Sequence, residues 1–172
     1  GLIASIIGEK MKERRVEMGI SLNAMSKKLG VTSRMISKYE QGSSEVTIQR
    51  AMKIYDIFGE NVFFEFNIFE NNESVLSNVR SDFSRKYVDI GFEATDTKKS
   101  PFDIISRKED HLIMTDVGDK VNPDSVALSR LLDAENLVIY DNKKPKDIAA
   151  LNRDEFLEVM EAEELLKYLR EF

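Results

Sequence analysis

The chain has 172 residues, 42% of them apolar and 33% charged, values near the globular average and enough for one or two domains with cores of their own. It contains no cysteine, which excludes a disulfide framework, a thiolate metal site and a cysteine nucleophile and fits a reducing cytoplasm. No apolar run approaches the roughly 20 residues that span a bilayer, and the opening GLIASIIGEK lacks the cleavage pattern of a secretion signal, so an intracellular protein without membrane contact is expected. The net charge of −6 is uneven: up to Glu60 there are 10 Lys and Arg against 7 Asp and Glu, and beyond it 15 against 24. A mildly basic first part followed by an acidic second part suggests two units with different partners, the first suited to a polyanion. The first residue is Gly rather than Met, as in a piece of a longer protein.

Taken in chain order, apolar residues at Ile7, Met11 and Val16 or Met18 predict an amphipathic helix over 6–18, closed at Gly19. Ser21 can cap a second helix through Leu29, with Leu22, Met25 and Leu29 on one face, and Gly30 ends it. Thr32 or Ser33 can cap a third helix to about Gln41, GSSEV reads as a loop, and Thr47 opens a fourth helix ending at Gly59. NVFFEFNIF alternates like a strand, with Val62, Phe64, Phe66 and Ile68 on one face and Phe63 and Phe69 on the other. The best break in the chain is ENNES, which divides it into a domain over 1–69 and a second over 70–172. Asn72 or Ser74 then caps a helix carrying Val75, Leu76, Val79, Phe83 and Tyr87. Strands around GFEAT, FDIISR and HLIMTDV follow, then a helix over 124–134, the strand LVIY, and a polar helical tail with Leu157, Met160, Leu165, Leu166 and Leu169. The tail is expected to dock on its own domain, or else to make a dimer contact.

On the third helix Arg34, Lys38 and Gln41 stand at i, i+4 and i+7 and share a face, while Ile36 and Tyr39 point the other way toward Met25, Leu29 and Ile48. A helix, a tight turn and a second helix present the latter to the DNA major groove, about 12 Å wide, where an Arg fork can read the N7 and O6 acceptors of guanine. Ser33 and Ser37 are shorter and suit phosphates or water-mediated base contacts. By itself a three- or four-helix pattern with a basic stripe is most often an ordinary solvated surface.

The run from Ile7 to Gly59, with MGIS, LGVT, ISKYEQG and the pattern TIQRAMKIYDIFG, resembles the Cro/C1-type (XRE-type) helix-turn-helix domain of microbial regulators. The resemblance implies base contacts from Ser33, Arg34 and Lys38 and phosphate contacts near Gln41, Ser43, Ser44 and Thr47. It also implies a structural ion pair between Arg15 and Glu40. Leu22 stands where the family commonly has a phosphate-gripping polar residue, and Ser26 where it has a small Ala. Over nearly the whole chain, including the strand entry at SPFD, the sequence is similar to an archaeal group of helix-turn-helix transcriptional regulators. These resemblances imply double-stranded DNA as partner and a homodimer; no cofactor is expected.

The order helix, three strands, helix, strand in the second half is that of the restriction-endonuclease-like core, so the expected fold class is an all-α helix-turn-helix domain followed by a small α/β domain. In that superfamily two acids and a Lys hold a metal and activate water. Asp103 and Asp116 occupy the acidic positions, but Gly118 stands at the Lys position. A metal-dependent nuclease is therefore the alternative to a non-enzymatic regulator, and a protein-binding adaptor is a third class, favoured by the acidic second half. Asp103 has a plainer reading as a strand cap after Pro101, and Asp116 as a solvent-facing strand end. His111, the single histidine, has no partner for a metal or nucleophile site and reads as a strand-edge residue.

Overall fold

The structure, a computed structural model, describes residues 3–64, 80–98 and 100–172. The chain divides into two compact units, Gly1–Asn72 and Glu73–Phe172. Among the described residues no helix is long and apolar enough to cross a membrane.

The first unit opens with a strand, β1 (Ile3–Ile7), where the periodicity had suggested the start of a helix. Its alternation buries Ala4 and Ile6, and it pairs antiparallel with β2 (Ser43–Thr47), the segment expected to be a loop. Four helices complete the unit: α1 (Gly8–Glu17), α2 (Leu22–Leu29), α3 (Ser33–Glu40) and α4 (Ile48–Phe58). Hydroxyl side chains set three of the starts. Ser21, Thr32 and Thr47 accept hydrogen bonds from the backbone N–H of Ala24 (3.0 Å), Met35 (3.2 Å) and Arg50 (3.4 Å), satisfying donors that a helix N-terminus otherwise leaves open. Met11, Met25, Leu29, Ile36, Ala51, Ile54 and Val62 are fully buried or nearly so and form the core between the helices and β1. In α1 the inward stripe runs from Met11 to Arg15; Val16 and Met18, read as apolar-face residues, are exposed.

The expected strand after α4 begins instead as a turn of 3₁₀ helix, Glu60–Val62. Phe63 then bridges Ile6, and the N–H of Phe64 donates to the Ser5 carbonyl at 3.0 Å. Phe64 is exposed, so it does not share the buried side of Val62 as the alternation suggested. The remainder of that segment and the expected helix start at Asn72 or Ser74, with Val75, Leu76 and Val79, lie outside the described residues.

In the second unit a five-stranded mixed sheet has the order β3-β4-β5-β6-β7. Strands β3 (Glu93–Asp96), β4 (Ile104–Lys108) and β5 (His111–Val117) form an antiparallel meander. Helix α6 (Pro123–Leu131) then returns the chain to β6 (Glu135–Tyr140), parallel to β5, and β7 (Ala150–Asn152), which periodicity missed, adds a second parallel edge. The helix before the sheet, α5 (Asp82–Asp89), is capped by Ser81, and Asp96 anchors its entry by accepting from the N–H of Arg80 (3.0 Å) and Ser81 (2.9 Å). The tail is two helices, α7 (Arg153–Leu157), started by an Asn152–Glu155 capping box, and α8 (Ala162–Arg170). Leu165, Leu166 and Leu169 of α8 join Phe83, Tyr87, Phe92, Ile104, Ile113, Leu137 and Phe156 in one buried cluster, so the tail docks on its own unit.

One close approach fixes how α1 meets α3. Gly8 donates its N–H to the Gly42 carbonyl at 3.0 Å, and a Cβ there would stand 2.3 Å from that oxygen and 2.4 Å from the Tyr39 carbonyl oxygen. Alanine in a helix interior is ordinarily favoured over glycine by about 1 kcal/mol. At this position the order should invert: Gly8→Ala is expected to destabilise the protein by about 1 to 3 kcal/mol through overpacking, measured as a lowered urea midpoint.

Candidate nucleic-acid interface

The turn between α2 and α3 is three residues long. Gly30 takes the left-handed conformation (φ +66°) that lets the chain reverse at the end of α2, and the N–H of Val31 returns to the Ser26 carbonyl at 3.0 Å. Thr32 then starts α3. Ile36 and Tyr39 are buried against the unit, while Arg34, Lys38 and Gln41 are exposed together on the opposite face. Ser33 and Ser37 are half-buried at its flank, and the Ser33 hydroxyl reaches Ser26 Oγ at 3.4 Å. Ser26 is buried, with its own hydroxyl donating to the Asn23 carbonyl at 2.7 Å, so a residue slightly larger than Ala is accommodated between the helices. Ser43 lies in β2. Ser44 is half-buried beside the end of α3, its hydroxyl 3.5 Å from the Lys38 carbonyl, and Thr47 is exposed at the start of α4.

The far end of α3 is pinned by charge. The Arg15 guanidinium makes two contacts with the Glu40 carboxylate, Nε to Oε1 and Nη2 to Oε2, the latter at 3.2 Å, and its Nη1 donates to the Ile20 carbonyl at 2.9 Å. Both side chains are nearly sealed from water, with 11% and 5% of their surface exposed. Arg15 thus ties together α1, the loop after it and the last turn of α3.

Sequence reasoning passed over Arg50. It lies on the first turn of α4, half-buried, and its Nη1 donates to the Tyr39 hydroxyl at 3.0 Å. An open cleft of about 660 Å³ runs along α3 at this point, with Lys38, Tyr39, Ser44, Glu45, Thr47 and Arg50 among the residues that line it. No sequence period connects positions 39 and 50; only the packing of α3 on α4 brings them together.

The two acids of the second unit lie side by side. Asp103, just before β4, donates its N–H to the Thr115 carbonyl at 2.9 Å, near enough to Asp116 for its charge to be felt there. The Asp103 carboxylate accepts the Val117 N–H at 2.7 Å, a strand cap as the plainer reading had it. Asp116 is buried under α6 and not solvent-facing as expected; Ser125 donates its hydroxyl to the carboxylate at 3.0 Å. Burial pushes its pKa up to about 6; the Ser125 hydrogen bond opposes the rise and the Asp103 charge adds to it. Among the described residues no group of three or more His, Asp and Glu side chains is placed to hold a metal ion. The nuclease alternative finds no support. His111 is the first residue of β5, paired with Lys108 at the strand end.

Residues 11–62 match the helix-turn-helix family model, and the first unit carries a helix-turn-helix domain of the XRE type. Over nearly its whole length the chain is similar to archaeal proteins named "Putative HTH-type transcriptional regulatory protein". It is 23% identical to one from Pyrococcus furiosus, 26% to one from Methanocaldococcus jannaschii and 25% to one from Archaeoglobus fulgidus, each comparison covering 99% of this chain. The chain spans 60% of the length of those relatives. No solved structure gives a significant match.

Two outcomes follow from these buried charges. Glu40→Ala strands the Arg15 guanidinium and is expected to cost about 3 to 5 kcal/mol, whereas replacing both partners by apolar residues recovers most of that loss; urea titrations of the three proteins measure it. For Asp116 the folded pKa of about 6 lies above the ordinary 3.8, so the fold loses stability as pH rises through that window. Asp116→Asn should exceed the parent in stability at neutral pH by about 1 to 3 kcal/mol, after allowance for solvent screening, and the gain should vanish below about pH 4.

Proposed function

We propose that the protein is a sequence-specific DNA-binding regulator of transcription that lays α3 in the major groove and has no enzymatic activity of its own. The observation that carries this reading is the exposed face of α3: Arg34, Lys38 and Gln41 project together from a helix whose opposite face and far end are locked to the unit. Arg34 suits bidentate reading of guanine, Lys38 reaches an acceptor or a phosphate, and Ser33 and Ser37 make shorter contacts. Gln41, Ser43, Ser44 and Thr47, around the end of α3 and along β2, flank the groove and contact phosphates. The names of the archaeal relatives support a role in transcription. The protein acts as a homodimer in the cytoplasm, because one small module buries only about 600 to 1,000 Å² on DNA and a second half-site one helical turn away multiplies specificity.

Selection of bound sites from random duplex DNA tests the reading, with palindromic spacing as the signature of the dimer. Arg34→Ala should relax preference at one base pair, a loss of about 1 to 3 kcal/mol of discrimination, and Lys38→Ala should lower affinity. Failure of the parent to bind any duplex in a salt-dependent way overturns the proposal in favour of a protein-binding adaptor. Unchanged selection by both variants overturns the assigned reading face.

A further inference from the structure

Unit 1 has four arginines, and they fall into two pairs. Arg14 and Arg15, on α1, are each joined to a carboxylate, Glu17 at 2.9 Å and Glu40 respectively. Arg34 and Arg50 have no carboxylate within ion-pair distance among the described residues, and neither has Lys38. For Arg34 and Lys38 exposure is explanation enough. Arg50 is different: it is half-buried, and a cation partly withdrawn from water without a counter-charge carries a desolvation cost.

What holds Arg50 is a neutral group. The Tyr39 hydroxyl accepts from Nη1 at 3.0 Å, and Tyr39 is itself buried, so its ring cannot swing away. A guanidinium has five N–H donors in a rigid fork, and this contact occupies one of them. The tyrosine therefore orients the fork without neutralising it, in contrast to Arg15, which is both fixed and neutralised by Glu40. The oriented cation lines the cleft that also presents Lys38, Ser44 and Thr47. Two cations and two hydroxyls converging on one open cleft match a tetrahedral oxyanion with several acceptor oxygens. Glu45 also lines the cleft; it is exposed and makes no ion pair with Lys38 or Arg50 among the described residues, so water and salt screen its charge.

We infer that this cleft is a binding site for one phosphodiester of the DNA backbone, with Arg50 and Lys38 as its cations and Tyr39 as the residue that positions Arg50. The inference rests on the DNA-binding reading and adds to it a residue on α4 outside the proposed reading helix. With α3 in the groove, the backbone that borders the groove passes the long side of the helix, where the cleft opens. A phosphate contact fixes register without reading sequence.

The test compares the full-length parent, Arg50→Ala, Arg50→Lys and Tyr39→Phe by fluorescence anisotropy on the selected duplex and on a scrambled one, from 50 to 300 mM salt. Losing one phosphate contact should make the slope of log K against log[salt] less steep by about 0.9 and weaken binding about fivefold at physiological salt. Arg50→Ala should show both effects equally on the two duplexes. Arg50→Lys should keep the parent slope. Tyr39→Phe, which removes only the hydroxyl, should also keep that slope but bind more weakly than the parent. Should Arg50→Ala melt at a lower temperature yet keep the parent's slope and affinity, Arg50 is a structural link between α3 and α4 and the phosphate site is wrong. If Tyr39→Phe binds as the parent does, the positioning role is wrong. Absence of salt-dependent binding by the parent would instead remove the DNA-binding reading and this inference together.

Discussion

An eight-residue helix such as α3 has little stability of its own, because nucleating a helix costs more than two turns of hydrogen bonding return. Its geometry has to come from outside, and the strongest external tie is the buried contact between Arg15 and Glu40. A desolvated ion pair is a weak source of net stability but a strict one of geometry, since neither charge tolerates displacement from the other. The same guanidinium holds the Ile20 carbonyl, so the end of α1, the following loop and the last turn of α3 move as one body. Gly8 closes the contact from the other end of α1, where the absence of a side chain lets the backbone touch the Tyr39 and Gly42 carbonyls. The positive end of one helix dipole thereby meets the negative end of another. The start of α3 is held by its Thr32 cap and by the contact of Ser33 with Ser26 on α2, while Arg34 in that first turn faces outward.

This division of labour among charges matters more than the net charge. The chain as a whole is acidic, and a polyanion would be repelled by an even spread of that charge. Screening at physiological salt limits the reach of exposed charges to about 8 Å, so the local surface decides. In unit 1 the arginines that serve the fold are on α1 and are paired, and those left unpaired among the described residues are on α3 and α4.

Much of this was legible in the sequence. Helices α2, α3 and α4 follow from hydroxyl caps, three- and four-residue apolar spacing and terminal glycines, and strands β3 to β6 from runs of β-branched and apolar residues. Strands β1, β2 and β7 were not legible: β1 ends in isoleucines that also fit the apolar face of the helix start that follows, and SSEVT and ALN hold too few β-branched or aromatic residues to stand out from a loop. They exist through pairing with partners distant in sequence: Ile3 with Thr47, and Val138 with Ala150. Arg15 illustrates a different limit. Periodicity placed Val16 or Met18 on the inner face of α1, and only the resemblance to Cro/C1-type domains pointed to a buried arginine in their stead. Arg50 escaped both kinds of reasoning, since its partner Tyr39 looks like an ordinary core aromatic until its hydroxyl is seen to need an acceptor or donor of its own.

The two buried carboxylates show what the fold does with charge it must enclose. Glu40 faces a guanidinium fork, and its removal would leave an orphaned cation. Asp116 has a neutral hydroxyl for a partner and a second carboxylate, Asp103, near enough to add its charge, so burial is uncompensated and the proton is held more tightly. Asp103 escapes that fate because it stays exposed and spends its oxygens on the Val117 N–H. Two acids arranged in this way serve the sheet and α6, one as a strand cap and one as an acceptor for Ser125. Gly118 stands where a lysine would have balanced them, whereas in unit 1 the arginines without a carboxylate partner among the described residues, Arg34 and Arg50, lie on α3 and at the head of α4.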